Sequence, residues 1–177
     1  MKTAAQTNAE LTRVAKLIDN IPIAMLTTLD DDGALVSRPM TALEMDAQGA
    51  LWFLTDVRYS KVDHLRAVNL SFTDRDQGAY VSLSGHGEID NDRARIHSLW
   101  SVFAKPWFPE GPDSSNLALL KFIPDRADYW DGPSSKMVRV FGTIASVIAG
   151  KPVALGAHGS LTALSASTQA PASALRP

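Results

Sequence analysis

The chain contains no cysteine, which removes disulfides, thiolate zinc sites, thiol catalysis and iron–sulfur clusters together. Such a composition suits a reducing compartment. A basic run is also missing: 17 Lys and Arg are dispersed among 19 Asp and Glu, for a net charge of −2, so the positive face that nucleic acid needs is not expected. Hydrophobic runs are short, none approaching the ~20 residues that span a bilayer. Met1 to Ala9 lacks the charged and apolar segments of a secretory leader. The expectation is a cytoplasmic protein with neither a membrane nor a nucleic-acid partner. The four histidines, His64, His86, His97 and His158, stand at no metal-ligand spacing from one another, so no metal is expected. What remains is 177 residues, 45% hydrophobic and 20% charged, enough for one substantial core.

Local patterns give the order of elements. Thr7-Asn-Ala-Glu10 fits a capping box, and Leu11, Val14, Leu17 and Ile18 recur at helical spacing up to Pro22, which resists helical geometry before it. Ile23 to Leu29 and Ala34 to Leu43 read as a hairpin joined by Asp30-Asp-Asp-Gly33. After a turn at Met45–Gly49, Leu51 to Leu54 begin a third strand. A short helix over Tyr59 to Val68 follows, then strands over Asn69–Thr73 and Ala79–Ile89, where Gly85 and Gly87 suggest a bulge or a close backbone approach. Asp90 or Asn91 caps a second helix whose apolar face is Ile96, Leu99, Trp100 and Phe103. Lys105-Pro-Trp-Phe-Pro-Glu-Gly-Pro112 must be loop, and Trp107 there is a candidate cover for a pocket or an ordinary packing residue. Leu117–Ile123, Asp125–Trp130 and Met137–Val147 read as closing strands, with Gly132-Pro133 a turn. Short strands and tight turns predict a mainly β fold, a six- to seven-stranded antiparallel barrel with short helices. It occupies residues 1–149, and an Ala- and Ser-rich tail fills 150–177.

One corner invites a ligand. Where the third strand meets the predicted helix, Ser60 is placed as N-cap, and Thr55, Lys61 and Arg58 surround free helix-start N–H groups, a ready anion site. Two readings stay open: a phosphate held there, or Ser60 merely capping and Lys61 merely solvated.

The strands and their residues resemble the flavin-binding split-barrel family of pyridoxamine 5′-phosphate oxidases, in particular its general stress protein branch. The resemblance runs over about Leu11 to Val147. It is carried by Ser37-Arg38-Pro39-Met40, Leu51-Trp-Phe-Leu-Thr-Asp with Ser60-Lys61, Tyr80-Val-Ser-Leu-Ser-Gly85, and Asp128-Tyr-Trp130-Asp-Gly132. It implies a split barrel that binds flavin mononucleotide (FMN), with FAD possible, in a homodimer whose flavin site lies at or near the subunit interface. The implied phosphate ligands are Thr55, Ser60 and Lys61. Arg38, Pro39, Met40, Phe53 and Ser82 are the other implied contacts, with Ser84 a weaker one, and Trp130 would reach the flavin from the second subunit. An arginine on a strand is otherwise a common surface ion pair, and a strand serine or tryptophan a common solvated or core residue.

Departures from the oxidases are equally visible. The lysine that grips the substrate phosphate there, five residues after the arginine, is here Leu43. The Arg-x-His pair after the tryptophan is replaced by Lys136-Met137-Val138, with Arg139 just beyond. The resemblance therefore implies a flavoprotein, an oxidoreductase acting on an unknown small acceptor, but not on pyridoxine phosphate. Two alternatives are kept: a flavin-binding stress protein without turnover, acting as reservoir or sensor, and a pocket repurposed for haem or a deazaflavin, with His86 as an axial ligand.

Overall fold

The computed structural model describes residues 1–59, 62–131, 157–162 and 164. Its frame is a curled sheet. In chain order the strands are β1 (Lys2–Thr3), β2 (Ile23–Leu29), β3 (Leu35–Thr41), β4 (Glu44–Met45), β5 (Leu51–Asp56), β6 (Val68–Asp74), β7 (Ala79–Asp90), β8 (Leu117–Asp131) and β9 (Ala157–Thr162). Spatially they run β1-β4-β5-β8-β7-β6-β2-β3, with β9 also on β8. Among the described residues every pairing is antiparallel except β1 with β4. Among the described residues two α-helices, α1 (Ala9–Ile18) and α2 (Arg93–Leu99), accompany the sheet. The architecture is the expected mainly β split barrel.

Helix α1 starts one residue later than its box suggested. Asn8, not Thr7, is the N-cap, and its side chain accepts from the Leu11 N–H at 2.8 Å. The helix buries Leu11, Val14, Ala15 and Ile18 against the inward residues of the strands, among them Leu26, Phe53, Leu70 and Phe72. A smaller apolar cluster lies outside the barrel wall, where Ile96 and Leu99 of α2 cover Trp52, Leu117 and Leu119. Strand β5 is therefore buried on both faces. Arg95 lies 3.7 Å above the Trp52 ring and Asp46 accepts from its indole N–H at 2.8 Å, satisfying that half-polar side chain as burial requires.

Both tight turns are built by an aspartate. Asp30 accepts from the N–H groups of Asp32 and Ala34, and Asp46 from those of Gln48 and Ala50. Gly33 and Gly49 take the positive φ that each turn requires, 79° and 87°.

Several expectations are corrected. The segments around Pro124 form one continuous strand, β8, which bulges at Asp125: Ser84 pairs with Arg126 and Gly85 with Pro124, so the register shifts between Ser84 and Gly85. A proline has no N–H for the ladder, and a bulge is where a central strand tolerates one. The helix expected over Tyr59–Val68 is replaced by two 3₁₀ turns, Val57–Tyr59 and Val62–Leu65, and Val68 already pairs with Thr28 in the sheet. Helix α2 is capped by Asp92 and ends at Leu99. Trp100 is extended and Phe103 is 83% exposed, so only Ile96 and Leu99 of the four predicted face residues are buried. Within the Ala- and Ser-rich stretch, Ala157–Thr162 pair with Arg126–Asp131, a strand that composition alone did not reveal. The strand expected over Met137–Val147 and the turn at Gly132-Pro133 lie outside the described residues, as do Lys136 and Arg139.

Candidate functional site

Among the described residues, strand β3 is hydrogen-bonded to β2 alone, and its other edge faces β5. The two are tied just beyond β3, where the Leu43 N–H donates to the Trp52 carbonyl at 2.9 Å, and no ladder joins them further up. This seam is the split of the barrel. Pro39 sits on β3, an edge strand, where a missing N–H costs no internal ladder bond.

The register sorts the sequence-predicted residues onto two faces. Arg38 pairs with Leu26, and Leu26 with Leu70, both fully inside, so Arg38 and Met40 lie on the concave side. Phe53 and Thr55 on β5 face the same side. Phe53 is wholly buried in the core, so its ring supports the strand from within and offers no open surface for stacking. Thr55 is 6% exposed. Pro39, Ser82 and Trp130 belong to the convex face. Pro39 pairs with Met25, Met25 with Ser71, Ser71 with Ser82 and Ser82 with Asp128, while Trp130 pairs with Tyr80. Three strand spacings separate Pro39 from Ser82, roughly 14 Å along the sheet. One chain therefore does not bring Arg38 and Trp130 to the same side.

On the concave side the electrostatics single out Arg38. It is half-buried, burial pushes its guanidinium below the ordinary arginine value, and among the described residues it makes no hydrogen bond or ion pair. Desolvated cations are normally paired. Arg58, placed by the sequence reading beside the anion corner, is engaged instead: its Nε donates to Asp56 at 3.0 and 3.1 Å, and its N–H donates to the same carboxylate. That hydrogen-bonded guanidinium holds the Asp56 carboxyl below the usual carboxylate range. Ser60 and Lys61 lie outside the described residues. With 3₁₀ turns in place of a helix, the helix-start part of the anion argument falls away, and Thr55 and Arg38 remain as donors along the seam.

The convex face mixes apolar and polar rows. Ile23, Met25, Leu29 and Leu35 are 54%, 41%, 41% and 74% exposed, and Tyr80 and Trp130 are 46% and 47% exposed. Between them Asn69 donates to Ser82 at 2.8 Å and to Ser84 at 3.3 Å, Ser71 donates to Asn69, and Arg126 grips Asp128 through two bonds of 2.9 Å. Ser82 and Ser84 are thus members of a side-chain ladder, a role that strand alternation could not disclose. Three histidines each face one aspartate: His64 with Asp31 at 2.8 Å, His97 with Asp113 at 2.8 Å and His86 with Asp125 at 3.4 Å. Among the described residues no group of three metal-ligating side chains occurs and no helix is long and apolar enough to cross a membrane.

Comparison with known proteins agrees with this geometry. A general stress FMN/FAD binding protein from Xanthomonas citri is 32% identical, covering 72% of this chain and 93% of its own, with a TM-score of 0.59. A protein from Clostridium acetobutylicum, related to general stress protein 26 of Bacillus subtilis and of the pyridoxinephosphate oxidase family, is 26% identical over 68% of this chain and 87% of its own, TM-score 0.59. Protein bli-3 of Neurospora crassa is 24% identical over 86% of this chain and 79% of its own. The family model for pyridoxamine 5′-phosphate oxidase like proteins matches residues 9–153. With four-fifths of its length matched and the split-barrel seam in place, this chain belongs to the pyridoxamine 5′-phosphate oxidase like family, among its general stress proteins.

Proposed function

We propose that the protein binds a flavin, FMN before FAD, in the seam between β3 and β5, and that two copies complete the site. The observation that carries this is Arg38, a half-buried guanidinium at the edge of the split that makes no hydrogen bond or ion pair among the described residues. A ligand rich in acceptors and carrying negative charge is what such a group stabilises. Thr55 adds a hydroxyl at the same seam. Ser60 and Lys61 are assigned the phosphate, whose charge of roughly −1.5 to −2 suits a lysine. The similarity to an FMN/FAD binding protein supports the same ligand.

The second copy is called for by the two-sided sorting of the residues. Pro39, Ser82 and Trp130 are turned away from Arg38, so a flavin touching both groups must lie between one copy's seam and the other's convex face. The exposed apolar side chains of that face are of the kind that an interface buries. A bound flavin supplies hydride or electron transfer, and the chain's own residues place the ring. The reading is an oxidoreductase for a small acceptor working in the cytoplasm. It excludes pyridoxine phosphate, because Leu43 is packed into the outer apolar cluster where the oxidases carry their phosphate-gripping lysine.

The test is reconstitution followed by spectroscopy. Purified protein mixed with FMN and with riboflavin should show flavin bands that co-elute with it, and Lys61→Ala should weaken FMN binding more than riboflavin binding. Equal loss for both ligands would relocate the phosphate. Reduction of the bound flavin by a nicotinamide nucleotide, followed by reoxidation by an acceptor, separates an enzyme from a reservoir.

A further inference from the structure

Between α2 and β8 the chain holds three large apolar side chains out in solvent: Val102 is 69% exposed, Phe103 83% and Trp107 75%. The loop that carries them is tied down. Trp107 and Phe108 both donate to the Ala104 carbonyl at 3.0 Å, Gly111 donates to the Phe108 carbonyl, and the Lys105 N–H donates to Val102. Arg93 of α2 clamps its far end, giving bonds of 2.9 and 2.8 Å to the carbonyls of Ser114 and Leu117. Phe108 turns inward and, like Leu43 and Leu54, packs against the outer cluster. The aromatic tip is thus presented by an ordered support, and its exposure is a fixed property of the loop.

Two further observations point to what it meets. Lys105 stands between Phe103 and Trp107, is exposed, and makes no side-chain bond among the described residues. The nearby acids are taken, Glu110 by the Ser114 hydroxyl and Asp113 by His97. The position matters as well: the Asn116 carbonyl accepts from the Val57 N–H at 3.0 Å, which ties the loop's end to the end of β5, where no ladder to β3 is seen among the described residues. The loop therefore stands beside the seam. Phe103 and Trp107 together expose on the order of 300 Å², well short of the roughly 800 Å² that each side of a stable protein interface buries. An aromatic small molecule needs no more than that.

We infer that Phe103, Lys105 and Trp107 form a binding wall for a planar aromatic molecule carrying a negative group, the class of acceptor that this site takes. The inference rests on the flavin reading for its location, not for its binding chemistry. The rings offer stacking faces and the ammonium pairs with the ligand's anionic substituent.

The test uses the full chain, with and without added FMN, titrated by calorimetry with 2-naphthoate and with the neutral 2-naphthalenemethanol. Naphthoate should bind both forms. Lys105→Ala should weaken naphthoate about tenfold while changing the alcohol less than twofold, and Trp107→Ser should weaken both about tenfold. Flavin affinity should move less than twofold in either variant. Absence of naphthoate binding, or binding indifferent to both substitutions, overturns the inference. So does loss of flavin affinity alongside naphthoate, or a change in oligomeric state in Trp107→Ser, which would hand the tip to the cofactor or to a second copy. If the chain takes up no flavin yet binds naphthoate through Lys105, the wall stands and the flavin reading falls.

Discussion

Replacing Arg38 by methionine separates a ligand-binding cation from a structural one. In the protein without ligand the guanidinium is half-buried, shifted by desolvation, and without a hydrogen bond or ion pair among the described residues. Folding therefore gains no pairing energy from its charge, and methionine keeps the aliphatic bulk beside Leu26 while removing the desolvation cost. The unfolding midpoint of the flavin-free protein should stay level or rise. In the proposed flavin complex the same group would make charge-assisted hydrogen bonds, whose loss costs about 1.5–3 kcal/mol, or roughly 10- to 150-fold in the dissociation constant. The assay is a titration of FMN fluorescence quenching, paired with thermal unfolding of the same samples without flavin. A lowered midpoint together with unchanged flavin affinity would refute the argument, because it would make Arg38 a supporting residue of the barrel.

Other outcomes follow from the same geometry. A Cβ at Gly85 would lie 2.0 Å from the Ile123 carbonyl oxygen, so Gly85→Ala must displace the bulge; a loss of about 2 kcal/mol or more should lower the melting midpoint by roughly 4–8 °C. Met25→Glu puts a charge in the middle of the convex apolar row and should yield monomers in sedimentation, with flavin binding falling alongside. Asp56 has a folded pKa depressed by Arg58, so its contribution is present above the ordinary carboxylate pKa and is lost as pH falls through the lowered value. Asp56→Asn should flatten that part of the acid unfolding curve, and a carboxyl chemical shift titrating at the ordinary value would contradict the pairing.

Much of the barrel was legible because its signals are local. Strand β2 alternates buried and exposed residues, the turns advertise themselves through Asp-x-x-Gly, and Gly85 inside an alternating run marked the bulge before its partner Pro124 was known. The misreadings come from forces that act at a distance. Tyr59–Val68 looked helical because Val62, Leu65 and Val68 share a spacing, but pairing with Thr28 claims Val68 for the sheet. Trp100 and Phe103 continue the spacing of α2, yet Trp100 has already left helical geometry. Strand β9 has little hydrophobic content of its own and forms because β8 offers it an edge. For the site, the residue types were readable and the sidedness was not. Only the register shows that Arg38 and Met40 look inward while Pro39, Ser82 and Trp130 look out, and no spacing signalled that Arg38 would lack a partner.

Because Arg38 and Trp130 face opposite sides of one sheet, lesions in the two should heal each other. In a two-fold dimer with shared pockets, a copy damaged only at Arg38 still lends a sound Trp130, and a copy damaged only at Trp130 still lends a sound Arg38. Mixing and reassembling the two inactive proteins in equal amounts would then place both good halves together in one pocket of every hybrid, about a quarter of all pockets in the mixture. Each cell carrying both defective forms would regain function that neither form has alone.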